Sequence, residues 1–112
     1  MSEFALIFRA TRSLTSEELP VRNAAAREWA LSLQARGVLK HAFPLEEPVM
    51  VVRPSPQPSP EIGRGGSAIA SVLVIDASDF DSAVALVKTH PGLAFGSEIE
   101  VRPVKSVVSA AR

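Results

Sequence analysis

Two segments of this chain, residues 3–10 and 67–77, are apolar on both of the faces that a β-strand presents. In the first segment one face carries Phe4, Leu6 and Phe8, and the other carries Ala5, Ile7 and Arg9. In the second, the stretch from Ile69 to Ile75 has four β-branched residues and one polar residue. Short apolar runs of this kind are typical of central strands, which are covered on both sides. The fold must therefore place both segments inside a sheet.

Residues 14–37 are predicted to form an amphipathic helix. Apolar side chains recur at the i, i+3, i+4, i+7 spacing of one helical face, at Ala26, Trp29, Ala30 and Leu33. Thr15 and Glu18 have the spacing of a capping box, and Gly37 ends the pattern. Pro20 leaves two alternatives for the start: the box opens a separate short turn, or the regular helix begins near Pro20 as its first residue.

Residues 78–92 are predicted to form a second helix with the same kind of stripe. Its apolar positions are Phe80, Ala83, Val84 and Val87. Ser78 and Asp81 have the spacing of a capping box, with aspartate in place of the usual glutamate. Pro91 and Gly92 end the pattern.

Three further segments are strand candidates. Residues 38–43 alternate loosely and precede Pro44, and residues 48–54 are rich in β-branched residues. The closing segment, 97–108, has one apolar face, formed by Ile99 and Val101. Its other face is charged and carries Glu98, Glu100 and Arg102.

The predicted order is strand, helix, strand, extra strand, strand, helix, strand. Without the extra strand this is the βαββαβ order of the ferredoxin-like sandwich, so we predict an α+β fold. The Pro/Gly-rich stretch at about 54–66 then falls between two strands in the middle of the motif. Because neither half alone makes a sheet that can fold, we predict that this stretch is an exposed loop within one domain, residues 1–112.

The composition narrows the class of partner. Twelve basic residues balance twelve acidic ones, whereas nucleic-acid binders usually carry a basic excess. The chain has no cysteine, which excludes disulfides and thiolate chemistry. No segment reaches the roughly 18 consecutive apolar residues of a membrane span, and the first residues lack the pattern of a signal peptide. We therefore expect a cytoplasmic protein that binds neither nucleic acid nor a membrane.

The two doubly apolar strands also predict a partner. In a ferredoxin-like sandwich the helices cover only one face of the sheet. The uncovered apolar face must meet something, and an identical sheet is the simplest partner. A net charge near zero also favours self-association. We therefore predict a homodimer in which two sheets face each other.

The two histidines, His41 and His90, are candidates for proton transfer near neutral pH. We expect His90 to be a solvated side chain at the end of the second helix, where the helix dipole favours its cationic form; a general base is the alternative. We expect His41 to point outward from its strand, with ligand binding as the alternative. The two lack metal-ligand spacing, and no metal or other cofactor is predicted.

The charged face of the last strand is the second candidate site. In a face-to-face dimer it borders the space between the sheets, where Glu100 and Arg102 either orient a polar ligand or tie the subunits together. Glu100 is thus a candidate for proton transfer and for ligand binding, and Arg102 and His41 are candidates for ligand binding. The glycine-rich run 63–66 lacks the Walker spacing, so we interpret it as flexible loop rather than a phosphate nest.

The tail HPGLAFGSEIEVRPV (90–104), with the preceding VLVIDASDFDSAVALVKT, resembles the YCII-related (YciI-like) family, in particular its DGPF-domain branch. The most specific matching residues are Pro91, Gly96, Glu100, Arg102 and Pro103. The order of elements matches over roughly residues 3–105. The resemblance implies a dimeric α+β barrel, in which two ferredoxin-like sheets face each other, in a family whose members mostly have no established reaction.

Two features depart from that family. The Asp-Gly-Pro-Phe motif that names the branch is absent, and PSPQPSPEIGRGG stands in its neighbourhood. YciI-like members have a proposed catalytic pair, a histidine in the first helix and an aspartate before the post-helix proline. The corresponding residues here are Ala26 and His90. The resemblance therefore assigns no catalytic residue to this chain.

Two functions follow as expectations. The first is a small-molecule binding protein that uses the cavity between the sheets. The second is a cofactor-independent enzyme of the dimeric-barrel type, a lyase, isomerase or monooxygenase, in which His90 or Glu100 handles the proton. We favour the first, because no other convergent set of polar residues replaces the missing pair. An interaction protein that docks through the Pro-rich loop is a third alternative.

Overall fold

The computed structural model of the chain describes residues 2–46, 50, 52, 54 and 69–105. The described residues form four strands, two α-helices and a 3-10 helix. In chain order these are β1 (Ser2–Ala10), α1 (Glu18–Ala35), β2 (Leu39–Pro44), β3 (Ile69–Ala77), α2 (Phe80–Val87), the 3-10 helix (Pro91–Phe95) and β4 (Ser97–Pro103).

The four strands form one antiparallel sheet in the order β2-β3-β1-β4. The two central strands, β1 and β3, are those predicted from the doubly apolar segments. The sheet interleaves both halves of the chain, because β1 and β2 precede the Pro/Gly-rich stretch while β3 and β4 follow it. This confirms the α+β prediction, and the strand order is compatible with a ferredoxin-like fold.

One face of the sheet and the two α-helices enclose the hydrophobic core. Its buried apolar residues are Phe4, Leu6, Phe8, Leu33, Leu73, Ile75, Ala77, Ala83 and Val87. The stripe predicted for the first helix faces this core, since Leu33 is 1% exposed and Trp29 packs against the cluster. Because each large buried aliphatic side chain contributes roughly 1.5–3 kcal/mol, this layer of contacts holds the helices on the sheet.

The opposite face of the sheet, which we name the open face, carries no helix among the described residues. At its centre Ala5 pairs with Val74 and Ile7 pairs with Val72 across β1 and β3. These side chains are only half-buried, and Phe43 at the β2 edge is 50% exposed. The prediction that the two doubly apolar segments form the central strands is confirmed, while the covering of the open face and the homodimer stay predictions.

The capping box predicted at the start of α1 forms. The Thr15 N–H donates to Glu18 Oε1, and the Glu18 N–H donates to Thr15 Oγ1, each at 3.0 Å. The Leu19 N–H then donates to the Thr15 carbonyl at 3.0 Å, so the box closes a turn that continues into the helix, with Pro20 in its first turn. Gly37, at φ 73°, adopts the left-handed backbone that follows the helix end.

The cap of α2 differs from the prediction. Asp79, rather than Ser78, is the N-cap, and its carboxylate accepts a hydrogen bond from the Ser82 N–H at 2.8 Å. Asp81 lies inside the first turn of the helix instead of closing a box. Aspartate and serine are both good N-caps, so the sequence spacing alone does not decide between adjacent candidates.

The end of α2 also differs from the prediction. The helix ends at Val87 rather than near residue 92. His90 has extended backbone, at φ −70° and ψ 128°, and Pro91 opens the 3-10 helix. The proline is the physical reason, because its ring disfavours helical backbone at the residue before it.

Both edge strands of the sheet are interrupted. Pro44 ends β2 and Pro103 ends β4. In β2 the register shifts just before His41, so that Lys40 is an extra residue opposite β3. Its ammonium lies 3.1 Å from a carboxylate oxygen of Asp76. A bulge of this kind breaks the hydrogen-bonded ladder and increases the local twist.

Some predicted features lie outside the described residues. This holds for the Pro/Gly-rich loop at about 54–66, apart from Pro54, and for the glycine-rich run 63–66. Of the strand proposed at 48–54, the described residues Met50, Val52 and Pro54 belong to no strand. Within the described part of the chain, no helix is long and apolar enough to span a bilayer.

Candidate functional site

A cavity of about 490 Å³, the helix–sheet cavity, lies between α1 and the core face of the sheet. It is at the end of the sheet where β1 and β2 finish and β3 and β4 begin. Ala26 and Ala30 on the inward face of α1 have short side chains, which leave space against Phe8 and Leu73. The other lining residues are Arg9, Ala10, Arg22, Asn23, Arg27, Trp29, Pro44, Ala70, Ser71, His90 and Ser97.

His90 is the one buried polar residue in the described part of the chain, at 8% exposure. Its imidazole packs against two aromatic rings that also line the cavity. The ring centroids of His90 and Phe8 are 4.9 Å apart, and those of His90 and Trp29 are 4.6 Å apart in an edge-to-face arrangement. These contacts hold the imidazole in one orientation and shield it from water.

A hydrogen bond fixes which nitrogen of His90 carries the proton. The Gly92 N–H donates to His90 Nδ1 at 2.9 Å, so Nδ1 is an acceptor and the neutral ring carries its proton on Nε2. Nε2 has no hydrogen-bond partner among the described residues, and no fully enclosed side-chain nitrogen or oxygen in this part of the chain lacks one. Because His90 lines the cavity, we infer that Nε2 is accessible from it as a hydrogen-bond donor.

The environment of His90 keeps the ring neutral. Burial, and to a smaller extent the positive charge of Arg22, lower the pKa of His90 from 6.5 to about 4. Burial acts because it removes the water that would solvate an imidazolium, and Arg22 acts through like-charge repulsion. At neutral pH the cavity thus contains an uncharged donor.

The turn after α2 positions His90. Gly92 fits because it has no side chain: a Cβ there would lie 2.9 Å from two atoms of the His90 ring and 3.0 Å from Ser97 Oγ. The Trp29 Nε1–H donates to Thr89 Oγ1 at 2.9 Å, which ties α1 to the same turn. The residues next to His90 therefore fix both the ring and the aromatic wall beside it.

The expectation of a solvated, cationic His90 at a helix end is wrong. The helix ends at Val87, and His90 lies in the turn that follows it. The extended backbone before Pro91 instead directs the side chain into the core, where burial favours the neutral form.

The candidates of the last strand lie on the other side of the sheet. Arg9 Nη1 donates to Glu100 Oε1 at 2.6 Å, and Arg102 Nη1 donates to Glu100 Oε2 at 3.0 Å. The two hydrogen bonds, mainly the one from Arg9, hold the pKa of Glu100 below its ordinary value. Glu100 is therefore a paired carboxylate at neutral pH, with both oxygens engaged.

His41 lies on the open face, as expected for an outward position. It is exposed, pairs with Val74 across β2 and β3, and stacks on Phe43 with ring centroids 5.7 Å apart. Arg102 pairs with Ala5 in the same row at the opposite edge, three strand spacings or about 14 Å away. The structure thus separates His90 from Glu100, Arg102 and His41, and among these four it joins only Glu100 and Arg102.

Sequence reasoning missed Arg22, Arg27 and the role of Trp29. The sequence of α1 did contain an indication of the cavity. Two positions of its apolar stripe, Ala26 and Ala30, have small side chains next to Trp29, and Arg22 lies one turn before Ala26. Small residues in a core-facing stripe leave space whenever the opposite surface does not fill it.

No metal centre emerges from residues 2–46 and 69–105, because no group of three histidine, aspartate or glutamate side chains is placed to hold an ion. No family model matches the chain, and no curated protein matches it. The likeness to the YCII-related family therefore stays a hypothesis that rests on the residues of the closing segment. Ala26 and His90, the two positions at which the chain departs from that family's pair, both line the helix–sheet cavity.

Proposed function

We propose that this protein binds a small molecule in the helix–sheet cavity, with His90 as a hydrogen-bond donor to the ligand. The observation that carries the proposal is a buried, neutral imidazole that lines a cavity of about 490 Å³ and whose Nε2 has no hydrogen-bond partner among the described residues. Ligand pockets are typically concave, mostly apolar and of roughly 300–1,000 Å³, with a few fixed polar groups. The site lies within one protomer rather than between two sheets, where the sequence led us to expect it.

The energetics of the imidazole support binding. Nε2 is not fully enclosed, so a ligand oxygen there exchanges a hydrogen bond with solvent for one with the ligand. A carbonyl or carboxylate oxygen at His90 Nε2 then contributes about 0.5–1.5 kcal/mol net. The rings of Phe8 and Trp29 also offer apolar surface to the body of a ligand. The orientation of His90 is already fixed by Gly92, so little conformational entropy is lost on binding.

The proposal is tested by a fragment screen followed by NMR. Trp29 is the single tryptophan of the chain, so its indole N–H gives one resolved signal at the cavity wall. We expect oxygen-bearing aromatic fragments to shift this signal in the wild type and in His41→Phe, but not in His90→Phe. His41→Phe is the matched control, because it makes the same change on the open face.

Two results would argue against the proposal. Fragments that shift the Trp29 signal equally in all three proteins would show that His90 does not bind them. The absence of any shift across the whole fragment set would show that the cavity does not admit ligands.

A cofactor-independent enzyme is the second candidate, favoured by the neutral donor at the cavity. Nε2 of His90 carries the proton, so it polarises a substrate carbonyl and does not abstract a proton. Glu100 does not help, because it is paired with Arg9 and Arg102 and does not line the cavity. Binding without turnover is therefore favoured. Turnover of a bound compound that disappears in His90→Phe and persists in Glu100→Gln would establish the enzyme instead.

We further propose that two copies associate through the open face. Ile7, Val72 and Val74 form an apolar centre that the chain's described helices leave uncovered. Beside it lies the ion-paired set of Arg9, Glu100 and Arg102. Protein interfaces commonly have an apolar centre and a charged rim. In a twofold-symmetric pair, the charged rim of one copy can contact the charged rim of the other. In such a pair the charged set and His41 would border the space between the sheets.

A further inference from the structure

The charged side chains that line the helix–sheet cavity are all basic. Arg22 and Arg27 line it, and no aspartate or glutamate does. Among the described residues neither arginine forms an ion pair, and the Arg22 Nε–H donates at 3.0 Å to the uncharged Asn23 Oδ1. Two other arginines show the contrast, because Arg9, which also lines the cavity, and Arg12 each contact a glutamate carboxylate.

The two arginines line the cavity from α1. They lie on either side of Ala26, five residues apart, which corresponds to about 7.5 Å along the helix axis. Arg22 is half-buried and close enough to His90 for its charge to be felt there. Arg22, Arg27 and His90, whose side chains donate hydrogen bonds, therefore line one space, and a polar group that meets them there must accept hydrogen bonds.

The remaining walls define the rest of the ligand. Phe8, Trp29 and Leu73 supply apolar surface, and Ala26 and Ala30 supply room. A ligand that fills this space has an apolar body, and its acceptor group lies toward the arginines. Guanidinium groups bind carboxylates and phosphates with paired, charge-assisted hydrogen bonds.

We propose that the ligand of the helix–sheet cavity is a small organic anion, a carboxylate or a phosphate ester on an aromatic or aliphatic body. Arg22 and Arg27 bind the anionic oxygens, and the His90 Nε2–H donates to an oxygen of the same ligand. The proposal rests on the binding function inferred above and names its ligand class.

The test is calorimetric titration of the full chain with three probes that share one aromatic body. These are naphthalene-2-carboxylate, 2-naphthyl phosphate and the neutral naphthalene-2-carboxamide. We expect at least one anion to bind about tenfold more tightly than the amide, because a charge-assisted hydrogen bond is worth roughly 1.5–3 kcal/mol. A preference for the carboxylate or the phosphate identifies which anion fits, and either one supports the proposal.

Variants locate the effect. Arg22→Gln and Arg27→Gln should each weaken anion binding about tenfold and leave amide binding unchanged. Arg36→Gln is the matched control, since Arg36 follows the same helix, does not line the cavity and should have no effect. An unchanged Trp29 indole signal in each variant shows that the cavity is intact.

The outcomes separate this proposal from the binding function. Equal affinity for the anions and the amide, or an equal loss in Arg36→Gln, overturns the anion assignment and leaves the binding function standing. Failure of every probe to bind at millimolar concentration also overturns the assignment. The fragment screen with His90→Phe then decides the binding function independently.

Discussion

The imidazole of His90 makes the stability of the fold depend on pH. Its pKa is about 4 in the folded chain and 6.5 ordinarily, so between these values the unfolded chain binds the proton and the folded chain does not. The contribution of His90 to the free energy of unfolding is therefore full above about pH 6.5 and decreases as the pH drops through this window. Below about pH 4 it does not decrease further. The full loss is on the order of 3 kcal/mol, at 1.36 kcal/mol for each unit of pKa shift.

This expectation is measured as the free energy of unfolding of the wild type minus that of His90→Phe, from pH 7.5 to pH 3.5. Phenylalanine keeps a ring beside Phe8 and Trp29 and cannot titrate. Carboxylates such as Glu18, whose pKa is lowered to about 2 chiefly by its hydrogen bond from Arg12, act equally in both proteins and cancel. Two curves that run parallel through the window would show that His90 stays solvated in the folded chain.

Part of this behaviour was accessible from the sequence. Pro91 already disfavoured helical backbone at His90, so an end of the helix before this residue could have been inferred. Its burial was not accessible, because it depends on Phe8 and Trp29, which are brought to His90 only by the packing of β1 and α1. A histidine in a turn gives no local sign of which distant rings will enclose it.

Substitutions can identify the residue that caps α2. Asp79→Ala removes the acceptor of the Ser82 N–H and should lower the free energy of unfolding by about 1 kcal/mol. Asp79→Asn keeps an acceptor and should restore most of that loss. Asp81→Ala, the position that the sequence spacing favoured, should cost less than half as much, since it removes only a charge near the helix N-terminus. Chemical denaturation measures the free energy of unfolding of all three variants. A larger loss for Asp81→Ala than for Asp79→Ala would indicate that Ser78 is the N-cap.

The elements themselves were largely predictable, for reasons visible in particular residues. The apolar segment around Phe4, Leu6 and Phe8 predicted a central strand. Because its other face is apolar as well, it did not specify which face the helices cover. The capping box of Thr15 and Glu18 indicated where α1 starts, although Pro20 left two alternatives for its first regular residue. The helix–sheet cavity was not predictable, because its volume depends on how closely the surfaces of α1 and the sheet fit together. These surfaces meet only in the folded chain.

The exposed apolar centre of the open face predicts that two copies of the chain associate. Sedimentation of the wild type should give about twice the chain mass of 11.9 kDa. Val72→Glu places a charge at the apolar centre of the open face and should shift the equilibrium to the single chain. Val21→Glu makes the same change on the surface of α1, where valine is already 58% exposed, and should leave the mass unchanged.

The wild-type measurement stands even where Val72→Glu perturbs folding. A wild type that sediments as a single chain at high concentration contradicts the homodimer. Equal dissociation by Val21→Glu would place the contact on the helices rather than on the open face.

The interruptions of the edge strands limit what larger assemblies this molecule can build. Pro44 and Pro103 remove amide donors at the ends of β2 and β4, and the extra residue Lys40 twists one rim and charges it. The bulge shortens the regular row of peptide groups at the β2 rim, and Pro103 ends the row at the β4 rim. Growth by lateral strand addition, the route to fibrils, is therefore disfavoured, and contact through the broad side of the sheet stops at a finite number of copies.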